Sequence, residues 1–159
     1  MLTGARLPSR FGHTEMSLRG HPYAWRAMEP NGQVKRILVV DDDPNVRSSL
    51  GRMLTAAGHQ VVLSENGMEA ILRWQELGAD LVMLDLFMPV MDGLETLAAL
   101  RAYAPRLPII VMSGGGTKGV DLSVQAKLLG ANWTIAKPFS LAAIMALVGS
   151  ALGAADTGE

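Results

Sequence analysis

The sequence predicts an α/β fold, a doubly wound sheet of five parallel strands with five helices. Three observations carry that expectation. Five short apolar runs alternate with five stretches of helical period from Lys35 onward. The runs are continuously apolar rather than alternating, as in parallel strands buried on both faces. The punctuation between them falls where helices start and stop.

Each element has its own signals. Ile37–Val40 reads as the first strand, and Asp43 followed by Pro44 supplies an N-cap with proline at the first helical position. Val46, Leu50, Met53, Leu54 and Ala57 then recur three and four apart, and Gly58 closes that helix. Val61–Leu63 is the second strand; Asn66 caps a helix carrying Ala70, Ile71, Trp74 and Leu77, and Gly78 ends it. Leu81–Leu84 is the third strand, followed by Asp92 as N-cap and by Leu94, Leu97 and Ala98. Ile109–Met112 is the fourth, with Val124 and Leu128 marking its helix and Gly130 its end. Trp133–Ala136 is the fifth, and Ile144, Leu147, Val148 and Ala151 mark the last helix. Five strand-then-helix units imply right-handed crossovers covering both faces of the sheet.

The composition is that of a globular protein, with 49% apolar and 18% charged residues in a chain of 159. No run of about 18 apolar residues is present, so neither a membrane span nor a membrane partner is expected. The N-terminus lacks the apolar core and cleavage site of a signal peptide, which points to a cytoplasmic location. The absence of cysteine excludes disulfides, thiolate metal sites and thiol catalysis. The net charge of −1 conceals an asymmetry: residues 1–36 hold six basic against two acidic residues, the remainder eight against thirteen. Residues 1–34 are expected to form a solvated, disordered basic extension, 35–152 the folded domain and 153–159 a short tail. So short a scatter of charge does not make a nucleic-acid partner an expectation.

In open parallel sheets the site lies beyond the carboxyl ends of the strands. Those ends carry Asp41, Asp42 and Asp43, then Asp85, then Ser113, then Lys137. A bare carboxylate is costly in a core, so Asp85 is expected exposed just past its strand. Three or four carboxylates at one edge need a counter-charge, and hard oxygens suit Mg²⁺. With a hydroxyl and an ammonium beside them, these are the parts of a phosphoryl-transfer site whose nucleophile is a carboxylate. Asp43 and Asp92 have a simpler role as helix caps. The stretch Ser113–Gly119 fails the spacing of a phosphate-binding P-loop, because Gly119 follows Lys118.

At these positions the sequence resembles the receiver domains of two-component response regulators, like the single-domain chemotaxis regulator. The matching segments are ILVVDDDP (37–44), DLFMPVMDG (85–93), VMSG (111–114), GA (130–131) and AKPF (136–139), in order and at family spacing. The resemblance implies a flavodoxin-like sheet of order 2-1-3-4-5 and assigns Asp85 as the phospho-accepting residue. It implies metal contacts from Asp42, Asp41, Asp85 and the backbone carbonyl of Phe87. Ser113 and Lys137 match the groups that hold the phosphoryl oxygens, and the Lys137-Pro138 bond is generally cis in the family. Thr134 stands at a switch position where many receivers carry Tyr or Phe, so its stiff side chain cannot signal by a large rotation. The loop Gly114-Gly115-Gly116 is expected to transmit the signal instead.

The implied function is that of a single-domain response regulator, not a turnover enzyme, because the chain stops at Glu159 and leaves no room for an output domain. It would take a phosphoryl group from a sensor histidine kinase or a histidine phosphotransfer protein. It would then signal to a downstream protein through its fourth helix, fifth strand and fifth helix, or pass the group on. The rival reading, a haloacid-dehalogenase-like phosphohydrolase, needs an aspartate two residues after the nucleophile, and that position is Phe87. A nucleotide or flavin binder on this fold would be repelled by the acidic cluster.

Overall fold

The computed structural model describes residues 34–114 and 121–156, with side chains up to residue 153. All but the last residue of the N-terminal extension assigned to 1–34, and Gly115 and Gly116 of the glycine loop, therefore lie outside the described residues. Strands and helices alternate in chain order: β1 (Arg36–Val40), α1 (Pro44–Ala56), β2 (Gln60–Ser64), α2 (Gly67–Leu77), β3 (Leu81–Asp85), α3 (Gly93–Tyr103), β4 (Ile109–Gly114), α4 (Ser123–Leu128), β5 (Trp133–Lys137) and α5 (Leu141–Asp156). All strand pairs are parallel and the sheet order is β2-β1-β3-β4-β5, as expected. The last helix runs on past Leu152 to Asp156. No helix among the described residues is long and apolar enough to cross a membrane.

The caps form as read. Asp43 accepts from the Asn45 amide at 2.8 Å, Asn66 from Glu69 at 2.9 Å and Asp92 from Glu95 at 2.9 Å. The Glu95 side chain returns a bond to the Asp92 amide, completing a capping box. Gly130 follows the short α4 at φ +101°, a conformation that L side chains rarely adopt.

The core has two layers, one on each face of the sheet. Leu38, Val40, Val82, Leu84, Ile109 and Val111 pack against α2, α3 and α4. Ile37, Val39, Leu81, Met83, Ile110 and Met112 pack against α1 and α5. Burial on both faces holds for β1 and β3 but not for β2 or β5, whose residues are mostly half-exposed. The sheet order makes these two its edges, so helices cover them incompletely.

A further difference from the sequence reading is the anchor between α3 and the turn after α4. Arg101 donates to the carbonyls of Gly130 (2.8 Å) and Leu107 (2.6 Å) and to the Asn132 side chain (2.7 Å). Burial lowers its guanidinium pKa. Its apolar neighbours in sequence gave no hint of these distant partners.

Candidate functional site

The C-terminal edge of the sheet brings Asp41, Asp42 and Asp85 together. One carboxylate oxygen from each lies within 4.8 Å of the others. Asp41 directly follows β1, and Asp85 closes β3 in register with Met112 of β4. Lys137, the last residue of β5, reaches across with its Nζ 2.6 Å from Asp41 Oδ2 and 3.3 Å from Asp85 Oδ1. The Lys137–Pro138 peptide is cis.

Asp85 is not exposed, contrary to the sequence expectation. Only 4% of its surface is accessible, because β3 is a central strand and extends one residue further than its apolar run. The ammonium at 3.3 Å makes that burial tolerable. Burial and then the charge of Asp41 raise the Asp85 pKa to about 6, with Lys137 pulling the other way. Burial works against the Lys137 ammonium, but its bond to Asp41 and the two carboxylate charges outweigh it and raise its pKa.

Asp41 and Asp42 are adjacent in sequence and opposite in environment. Asp41 is fully buried, with Oδ1 accepting from the Asp43 amide at 2.9 Å and Oδ2 from Lys137. Asp42 is exposed. Each oxygen of Asp41 thus already has a donor, whereas the Asp42 carboxylate faces solvent. A group that the sequence reading missed helps hold this corner: Arg47 donates to the Asp41 carbonyl at 2.7 Å. It sits one turn into α1, and long helical side chains lean back toward the helix N-terminus. That direction is the one signal that could have found it.

Ser113 lies in β4 and Thr134 in β5. Ser113 pairs with Ala136 and Thr134 with Val111, so both follow the alternation of the α3 and α4 face. Both are half-buried. Phe87 is 40% exposed and lines a groove of about 380 Å³ with Asp42, Met88, Pro89, Asp92 and Leu122.

The loop that carries this groove is closed at its base by the Gly93 amide donating to the Leu86 carbonyl at 2.9 Å. Any side chain at Gly93 would collide with the backbone of Asp85 and Leu86, so glycine lets α3 start against the site strand. At the loop's tip Val90 has φ +72°, and the Met91 amide donates to the Pro89 carbonyl at 2.8 Å. This matches the rare, strained hand of γ-turn, at a β-branched residue. Val90 is 81% exposed and loses little packing when truncated. Val90→Gly is therefore expected to stabilise the protein by about 1 kcal/mol, the left-handed strain removed less the entropy of a glycine. Urea unfolding checks this, and a destabilised variant would mean that the turn carries no strain.

The donor set of three clustered carboxylates is hard, oxygen-only and partly open to solvent, which fits a cation such as Mg²⁺. Lys137 shows that the cluster attracts positive charge.

Comparison with known proteins agrees with this geometry. The family model described as response regulator receiver domain matches residues 37–149. The transcriptional regulatory protein PrrA of Mycobacterium tuberculosis is 40% identical over 113 residues, which cover 71% of this chain and 48% of that protein. The regulatory protein AtoC of Escherichia coli is 34% identical over 75% of this chain and 25% of its own length. The chain thus spans half or less of these curated relatives. Among solved structures, the receiver domain of NtrX from Brucella abortus superposes with a TM-score of 0.69 at 29% identity, over 74% of this chain and 98% of that one. A CheY-like receiver domain protein from Methanospirillum hungatei shares the fold at a TM-score of 0.74 and 24% identity, over 80% of this chain and all of that one.

Proposed function

The chain belongs to the response regulator receiver family, and within that family we propose that it accepts a phosphoryl group on Asp85. The donor is a sensor histidine kinase or a histidine phosphotransfer protein in the cytoplasm. The observation that carries this reading is the buried Asp85 at the end of β3, with two further carboxylates and the Lys137 ammonium around it.

Asp42 would hold Mg²⁺ directly, with Asp85 and the Phe87 carbonyl, and Asp41 would act directly or through water. The ion would neutralise charge on the phosphoryl oxygens. Asp85 supplies the attacking oxygen. Lys137 would move from its carboxylate partners to a phosphoryl oxygen, and Ser113 would donate its hydroxyl to another. Turning Ser113 toward the site would displace the adjoining loop and α4. The exposed Val124 and Leu128 of α4 and Leu129 just after it, with Leu141 at the start of α5, support a protein-binding output on the α4–β5–α5 side. Thr134 contributes no ring to this switch.

Incubation with acetyl phosphate and Mg²⁺ is expected to add one alkali-labile phosphoryl group, read by intact mass. Asp85→Asn and chelation should each abolish it, and Asp42→Ala should behave like chelation. Equal labelling of Asp85→Asn, or steady turnover of p-nitrophenyl phosphate, would overturn the reading.

A further inference from the structure

The turn between β1 and α1 carries two of the three clustered carboxylates and holds them by different means. Asp41 is fixed through its own side chain, which takes the Asp43 amide at 2.9 Å and the Lys137 ammonium at 2.6 Å. The Asp42 carboxylate has no hydrogen bond or ion pair among the described residues. One of its oxygens nevertheless lies within 4.8 Å of those of Asp41 and Asp85, so the backbone keeps it there. That backbone is braced on both sides of Asp42, and both braces come from Arg47. The Arg47 amide donates to the Asp43 carbonyl at 3.0 Å, and the Arg47 guanidinium donates to the Asp41 carbonyl at 2.7 Å. The Asp41 carbonyl shares a rigid peptide plane with the Asp42 nitrogen and Cα, so a bond to that oxygen fixes the direction in which Asp42 leaves the strand. The guanidinium forms no salt bridge among the described residues; it bonds this carbonyl instead.

Resting on the proposed metal role of Asp42, we infer that Arg47 is a positioning residue for the cation: by holding the Asp41–Asp42 peptide it presents the Asp42 carboxylate to the ion. It acts through Asp42 and not on the ion itself. This role and the charge of Arg47 work in opposite directions. A positive charge at the edge of the acidic cluster repels a cation, so if charge were its whole contribution, removing it would tighten Mg²⁺ binding. Groups that orient a metal ligand commonly contribute about tenfold or more to affinity, so loss of the bond to the Asp41 carbonyl weakens binding. The sign of the change separates the two.

Mg²⁺ dissociation constants are measured by calorimetry on the metal-free full chain, with circular dichroism to confirm that each variant is folded. Arg47→Met keeps the apolar stem and removes donor and charge; it is expected to weaken Mg²⁺ binding by about tenfold. Arg47→Lys keeps a donor and the charge and is expected to recover most of that affinity. The Mg²⁺ concentration for half-maximal labelling by acetyl phosphate should rise by the same factor in Arg47→Met, while the rate at saturating Mg²⁺ stays within about twofold of wild type. Arg47→Gln carries the same expectation should Arg47→Met fail to fold. Mg²⁺ binding as tight as wild type, or tighter, in the folded variant would overturn the positioning role and leave the metal reading intact. Wild-type protein that binds no Mg²⁺ would overturn the metal reading and the positioning role with it.

Discussion

Lys137→Met is expected to destabilise the metal-free protein by roughly 3 kcal/mol, because it removes one partner of a buried ion pair and keeps most of the apolar stem. Asp41 is fully buried and takes the lysine at 2.6 Å, and Asp85 takes it at 3.3 Å. Without the ammonium, two buried carboxylates face each other, and Asp41 keeps the Asp43 amide as a donor. The loss should shrink in acid, where Asp85 protonates, and shrink again when Mg²⁺ replaces the missing charge. Urea unfolding with chelator and then with Mg²⁺ measures both effects. A variant as stable as wild type in chelator would mean that the pair contributes nothing, and a loss that Mg²⁺ does not reduce would point to packing instead.

Asp85→Asn should do the opposite, stabilising the metal-free protein at neutral pH while removing the proposed nucleophile. The folded-state pKa is about 6, against an ordinary value of 3.8. Between those two values the folded protein holds more protons at this site than the unfolded chain. Stability from this group therefore falls as pH rises through the window and is lowest above it. The difference corresponds to roughly 2–3 kcal/mol above pH 6, which the neutral asparagine recovers. Below about pH 4 wild-type Asp85 is protonated in both states and the advantage should vanish. Denaturation at pH 4 and pH 7.5 in chelator tests the sign; a gain that persists unchanged at pH 4 would assign the effect to something other than charge.

These opposite signs follow from one arrangement. The site concentrates negative charge where the folded chain would be more stable without it, and a single lysine offsets part of the cost. A divalent cation or a rearranged lysine would change the balance, so the proposed chemistry at Asp85 would be coupled to folding stability.

Much of this protein was legible from short-range pattern alone. Strands and helices were readable because period and capping are properties of neighbours: Asp43 with Pro44, Asn66 with Glu69, Asp92 with Glu95. The polar residues at four strand ends could be nominated for the same reason, since a parallel sheet sends all its carboxyl ends to one edge. What tertiary structure alone decided is which of them meet, and in what environment. Lys137 and Asp41 are 96 residues apart, and no local pattern specifies a 2.6 Å contact between them. Asp85 is buried because β3 lies centrally in the sheet, and β2 and β5 are half-covered because they lie at its edges. Asp41 and Asp42, identical in type and adjacent in sequence, differ because one side chain turns into the protein and the other faces water. Secondary structure depends on contacts three or four residues away, whereas burial and charge depend on whatever the fold brings near. A carboxylate's energy is set by that second, non-local environment.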